Sequence, residues 1–98
     1  MSAAGVEYLA EASRELDGAL DWYLERSLTA AEAFLTEIDH GIQLIRGTPQ
    51  MWPQFEGNTR RYVLRKFPYS IIFRQVDDLI QVVAVAHQKR RPGYWSNR

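Results

Sequence analysis

Apolar residues in the first half of the chain recur with helical spacing. Over residues 10–26 they predict an amphipathic helix whose stripe contains Ala12, Leu16, Ala19, Leu20, Tyr23 and Leu24. A second stripe predicts a second helix ending at Gly47 and Pro49, and it contains Ala31, Phe34, Leu35, Ile38, Ile42 and Ile45. Thr29 and Glu32 form a capping-box pattern at its start. Because only residues 26–28 separate the two patterns, we expect an antiparallel helical hairpin.

The second half has the period of strands. Two apolar runs rich in β-branched and aromatic residues flank Asp77 and Asp78, which predicts a β-hairpin with a two-residue turn. This turn predicts four cross-strand pairs, namely Val76–Leu79, Arg74–Gln81, Ile72–Val83 and Ser70–Val85. Alternation then predicts a face for the helices, formed by Tyr69, Ile71, Phe73, Ile80, Val82 and Ala84. The opposite, half-polar face is a candidate working surface, formed by Ser70, Ile72, Arg74, Gln81, Val83, Val85 and His87.

Shorter patterns complete the predicted architecture. Val6, Tyr8 and Leu9 predict a short first strand, and residues 60–66 predict another with Tyr62 and Leu64 on one face. Residues 49–59 predict a loop in which large apolar side chains cover a core edge or form a docking rim: Met51, Trp52 and Phe55. The predicted fold is α+β, in one domain over residues 1–98. A short N-terminal strand and an antiparallel helical hairpin precede a three-stranded antiparallel β-meander, in the order β-α-α-β-β-β.

The formal net charge of zero hides an asymmetry. Residues 1–59 contain ten acids and three bases, whereas residues 60–98 contain nine bases and two acids. Either the two halves attract each other, or the second half meets an anionic partner such as nucleic acid or an acidic protein segment. The basic character is strongest in residues 88–98, which hold four cations and two aromatics and no acid.

Several kinds of chemistry have no support in the sequence. There is no cysteine, and no phosphate-binding glycine loop, nucleophile elbow, metal-ligand spacing or carboxylate pair is present. We therefore expect no metal and no cofactor, and we interpret His40 as a solvated side chain. No apolar run reaches the length of a membrane span, and no signal-peptide pattern opens the chain. We expect a soluble, cytoplasmic protein without membrane contact.

The candidate functional residues lie on the predicted strands and behind them. His87, beside several cations, could transfer protons on RNA, or it could be a strand-end histidine bonded to the backbone. Tyr94 and Trp95 could stack on a base, but we favour a role in fixing the tail to the sheet. Five arginines either cluster to bind phosphates or carboxylates, or keep the strand edges soluble: Arg61, Arg65, Arg74, Arg90 and Arg91.

The order and spacing of these residues resemble the ParE/RelE superfamily of bacterial type II toxins. The likeness rests on Arg65-Lys66-Phe67-Pro68-Tyr69-Ser70-Ile71-Ile72-Phe73, on Val83-Ala84-Val85-Ala86-His87, and on Arg90, Arg91, Pro92, Tyr94, Trp95 and Arg98. It extends into the helices at Glu15-Leu16, Trp22-Tyr23, Ala33-Phe34, Ile38 and Pro49. The resemblance covers nearly the whole chain. It implies a toxin that a cognate antitoxin neutralises in a hetero-oligomer, with an antitoxin segment that wraps across the helices or the sheet.

Two activities follow from this resemblance. RelE-like members cleave mRNA in the ribosomal A site, whereas ParE-like members poison DNA gyrase. Ser70 stands where RelE-like enzymes tend to have an arginine, and the Phe-Pro-Tyr and His-x-x-Arg patterns resemble the ParE side. We therefore favour a gyrase inhibitor that binds its target through Arg61, Arg65, Arg74, His87, Arg90, Arg91, Tyr94, Trp95 and Arg98. The alternatives are an endoribonuclease that uses His87, Tyr94, Arg65, Arg90 and Arg91, and an inactive antitoxin-binding module.

Overall fold

Two helices and four strands follow one another in the predicted order. A computed structural model describes residues 2–98, and its elements are β1 (Gly5–Tyr8), α1 (Ala10–Leu24), α2 (Leu28–Gly47), a 3-10 turn (Pro49–Met51), β2 (Arg60–Val63), β3 (Tyr69–Val76) and β4 (Leu79–His87). The strands form one sheet in the order β1-β4-β3-β2, in which β2, β3 and β4 are antiparallel and β1 runs parallel to β4. The α+β fold with its three-stranded meander is confirmed.

The helix boundaries depart from the sequence pattern at one end. Ser27, not Thr29, caps α2, and its side chain accepts a hydrogen bond from the Ala30 N–H at 3.1 Å. The predicted Thr29–Glu32 capping box is therefore wrong, because Thr29 already lies inside the first turn of the helix. Leu24 and Leu35, which we expected on the apolar stripes, are 46% and 37% exposed.

The helices pack on one face of the sheet around a core of aromatic and β-branched side chains. Phe34 of α2 is fully buried, and its ring makes edge contacts with Phe67 and Tyr69. Farther along α2, Gly41 lets the helix approach β2 closely. A Cβ atom there would lie 2.7 Å from a ring carbon of Tyr62. The missing side chain thus sets the distance between α2 and the sheet.

A β-bulge in the central hairpin changes the predicted faces. The pairs nearest the turn are confirmed, including Arg74 with Gln81, but Ile72 pairs with Ala84 instead of Val83. The extra residue shifts every later position of β4 to the other face. Val85 thus packs with the helices, whereas the second apolar cluster contains Ile72, Val83, Ala84, Ala86 and Trp95. His87 is displaced as well, and it lies opposite Tyr69 with ring centroids 5.0 Å apart.

Parts of the loop and tail cover the face of the sheet opposite the helices. Trp95 is 4% exposed in the second cluster, and Phe55 stacks on it with ring centroids 5.6 Å apart. Trp52 packs against the helix-side core beside Tyr62. The interpretation that large apolar side chains of the loop cover core edges is confirmed for Trp52 and Phe55. It does not hold for Met51, which is 71% exposed. Within residues 2–98, no helix is both long and apolar enough to cross a bilayer.

Candidate target-binding surface

The C-terminal tail is anchored to helix α1 through one carboxylate. Glu15 accepts a hydrogen bond from the Tyr94 hydroxyl at 2.6 Å and from the two terminal nitrogens of Arg98 at 2.8 and 3.1 Å. The Glu15 and Arg98 side chains are only 17% and 16% exposed, so this ion pair is largely removed from solvent. The preferred role of Tyr94 and Trp95, fixing the tail, is confirmed.

The same pair completes the edge of β4 where β1 ends. The Val85 N–H donates to Glu15 at 3.1 Å, and the Val83 carbonyl accepts from Arg98 at 3.1 Å. The pairing with β1 stops at Val82. Because unpaired backbone groups on a sheet edge can recruit another chain, these two side chains replace a missing strand and protect the edge.

Burial keeps the tail tyrosine in its neutral form. The pKa of Tyr94 is raised above its ordinary value, chiefly by burial, and also by the hydrogen bond and the negative charge of Glu15. The neutral phenol therefore donates a hydrogen bond to Glu15 and is a poor general base at neutral pH. The guanidinium of Arg98 is stabilised by the same contact, which raises its pKa against an opposing effect of burial.

Arg74 connects this anchor to the hairpin. Its Nε donates to the side-chain oxygen of Gln81 at 2.7 Å, and Nη1 donates to the Arg98 carbonyl at 3.2 Å. Gln81 in turn donates to Glu7 of β1 at 2.8 Å. Arg74 and Arg98, two of the predicted target-binding residues, thus both have hydrogen-bond partners within the protein itself.

Four of the predicted residues border a single open groove of about 310 Å³ at the end of the β3–β4 hairpin: Arg61, His87, Arg90 and Trp95. The guanidinium of Arg61 lies 4.2 Å from the centre of the Phe55 ring, and that of Arg90 lies 3.9 Å from the centre of the Tyr94 ring. Arg91 is exposed in the adjoining tail. The structure therefore brings part of the predicted set together.

His87 has the geometry of the backbone-bonded alternative. Its Nδ1 accepts a hydrogen bond from the Lys89 N–H at 3.0 Å, and its ring packs edge-on against Tyr69. This bond fixes the ring at the strand end. His87 still borders the groove.

Arg65 lies elsewhere, so the alternative in which all five arginines cluster does not describe this residue. It borders a separate open groove of about 670 Å³ between α2 and β2, whose lining includes Ala33, His40 and Tyr62. The backbone N–H groups of Arg65 and Lys66 both donate to the Glu37 carboxylate. His40 is exposed, as expected.

Glu15 is the residue that sequence reasoning missed as part of this surface. A signal was present, because Glu15 lies three residues after Ala12 and four before Ala19, inside the apolar stripe of α1. An acid at such a position is partly buried and requires a partner.

Within residues 2–98, no group of three or more possible metal ligands occurs.

Comparisons with known proteins agree with this fold. A family model described as "ParE toxin of type II toxin-antitoxin system, parDE" matches residues 6–92. A solved structure titled "Chromosomal ParDE TA system from P. aeruginosa" superposes with a TM-score of 0.73 at 18% sequence identity, covering 85% of this chain and 94% of that one. None of the curated proteins matches the chain.

Proposed function

This chain belongs to the ParE family of type II toxins, and from that premise we propose that it inhibits DNA gyrase and is neutralised by a cognate antitoxin. Inhibition would occur through binding, with the groove and the basic tail as the contact surface. The target contacts of Arg61, Arg65, Arg74, His87, Arg90, Arg91, Tyr94, Trp95 and Arg98 stay a prediction.

The observation that carries the proposal is the engagement of Glu15 with the tail. In a nuclease, Tyr94 or His87 would have to exchange protons with RNA. Here the Tyr94 hydroxyl and Arg98 are both bound to Glu15, so neither is directed at an RNA substrate. This arrangement supports a binding surface more than a proton-transfer site.

A second surface has properties that suit the antitoxin. Helix α2, which borders the groove that it forms with β2, exposes Leu28 at 63% and Leu35 at 37% on one of its faces, because the two residues are seven positions apart. Large apolar side chains exposed close together commonly mark protein interfaces. An antitoxin segment that crossed α2 would bury them, and it would leave the groove bordered by Arg61 and Arg90 uncovered.

A supercoiling assay with purified gyrase tests the proposal. We expect the wild-type protein to inhibit the conversion of relaxed plasmid to the supercoiled form, and Arg91→Ala to weaken the inhibition. Arg26→Ala, at the end of the helical hairpin, is the matched control and should inhibit as the wild type does. A stably folded His87→Ala variant should also retain inhibition.

The competing activity is tested in parallel with translating ribosomes. Cleavage of ribosome-bound mRNA by a protein that leaves gyrase unaffected would overturn the proposal and favour the endoribonuclease. Pulse labelling of cells that express this chain alone gives an independent measurement, in which DNA synthesis should fall before protein synthesis. If expression of the folded chain without an antitoxin had no effect on growth, the inactive binding module would be the better description.

A further inference from the structure

The groove at the end of the β3–β4 hairpin combines apolar walls with cationic rims. Its floor is formed by Ile72 and Ala86, and Val63 on its wall is 48% exposed. Arg61 and Arg90 are both exposed residues on its border. None of the residues that line it is acidic. Such a surface suits a ligand that carries an apolar group between negative charges.

The two guanidinium groups are held in place without being neutralised. Arg61 lies over the Phe55 ring and Arg90 over the Tyr94 ring. In the described part of the chain, neither arginine forms a salt bridge. A cation that an aromatic ring already positions loses less side-chain entropy when it binds a carboxylate. The groove is thus prepared for anionic groups.

The aromatic rings make a nucleic-acid base a poor occupant. Phe55 packs against both Trp95 and Arg61, and the Tyr94 ring lies near two guanidinium groups, those of Arg90 and Arg98. Trp95 itself is 4% exposed. Single-stranded nucleic acid is usually bound by stacking bases on free aromatic faces, and these faces are occupied. An acidic protein segment requires no free ring.

We propose that this groove binds a short acidic segment of the toxin's protein target. One large apolar side chain of the segment packs over Ile72 and Ala86, and flanking carboxylates pair with Arg61 and Arg90. The inference rests on the proposed function, because it defines the chemistry by which that target is recognised. It also makes Arg61 and Arg90 the pair that determines specificity.

Selection from a phage-displayed library of random linear peptides tests this chemistry directly. The wild-type protein is the bait, and peptides that also bind the Arg61→Gln/Arg90→Gln variant are removed. We expect the selected peptides to share one large apolar residue flanked by Asp or Glu. Enrichment of basic or uncharged peptides, or no enrichment, would overturn the inference.

A selected peptide, synthesised with a fluorescent label, then gives affinities by anisotropy. We expect Arg61→Gln and Arg90→Gln each to weaken binding about ten-fold. Arg26→Gln is the matched control, since Arg26 also lies over a ring, that of Trp22 at 3.7 Å, and its replacement should leave the affinity unchanged. Unfolding midpoints in urea establish that each variant is folded. Equal losses in all three variants, or displacement of the peptide by a DNA oligonucleotide at low concentration, would count against a specific acidic-peptide site.

The gyrase assay separates this inference from the proposed function. If gyrase is inhibited equally by the wild type and by the Arg61→Gln/Arg90→Gln variant, the groove inference is wrong while the proposed function stands. If acidic peptides bind as expected but gyrase is unaffected, the groove binds its predicted ligand class and the identity of the target is wrong.

Discussion

Replacing Glu15 with glutamine removes the charge that fixes the tail to helix α1. The wild-type carboxylate accepts four hydrogen bonds, from Val85, Tyr94 and both terminal nitrogens of Arg98. Glutamine keeps one acceptor oxygen, but it leaves the largely buried guanidinium without a counter-charge. Breaking a buried pair from one side costs about 3–5 kcal/mol. The remaining exposure of both side chains lowers our expectation to about 2–4 kcal/mol of unfolding free energy.

This loss is large for a domain of 98 residues. Domains of this kind are stable by about 5–15 kcal/mol, and at this size each kcal/mol shifts the Tm by about 4–8 °C. Urea unfolding followed by circular dichroism measures the change through the transition midpoint and the slope. We expect a clearly lower midpoint with a similar slope.

A double-mutant cycle with Arg98→Met isolates the pair. The two substitutions should be strongly non-additive, with a coupling of about 1–3 kcal/mol, because either one alone removes the same interaction. Glu25→Gln is the control, since its contact with Arg26 is 3.8 Å long between side chains 76% and 50% exposed. Exposed pairs of that kind contribute about 0–1 kcal/mol. A loss at Glu15 no greater than that at Glu25, or additive effects in the cycle, would refute the reasoning.

Three further predictions concern a glycine of helix α2, the cap of that helix and the pKa of the tail tyrosine. Gly41→Ala should destabilise the protein by about 1–3 kcal/mol in urea unfolding, because the added Cβ meets the Tyr62 ring on β2. Gly18→Ala is the control, since Gly18 is an exposed position of α1 with open space around it, and this change should be neutral or stabilising. Ser27→Ala should cost about 1 kcal/mol by the same measurement, and Thr29→Ala clearly less; the reverse order would restore the predicted capping box. The raised pKa of Tyr94 means that the folded state holds this proton more tightly than the unfolded state. The stabilising contribution of this proton is therefore complete below the ordinary tyrosine pKa and is lost as pH rises through the folded pKa. Tyr94→Phe should reduce the fall in the free energy of unfolding between pH 9 and pH 11, which lie about one unit on either side of the ordinary tyrosine pKa.

The helices and the turn of the hairpin were predictable because their signals are local. Apolar spacing marked both helices, and the Asp77-Asp78 pair placed the register correctly up to Phe73. The bulge beyond that point was not predictable, since residues 82–86 are all apolar and no alternation marks a slip. Contacts with the helices on one side and Trp95 on the other determine which face each side chain occupies.

The sequence predicted which kinds of residue form the candidate surface, but not how they are arranged. The sequence identified the cations and aromatics of the tail, but it could not place Glu15 beside Arg98, because that contact depends on how α1 crosses β4. It could not separate Arg65 from Arg61 either. Both belong to one stretch of sequence, yet they border different grooves once the chain bends after β2.

The position of β4 has a consequence for synthesis of the toxin. This strand lies between β1 and β3, yet it follows every other helix and strand in the chain. Ribosomes add about 5–20 residues per second, and until Leu79–Val82 emerge, β1 has no partner strand. A nascent chain that stops before Leu79 cannot form the central hairpin, so interrupted translation yields fragments without the groove. Completion of the sheet thus couples the appearance of the binding surface to synthesis through β4.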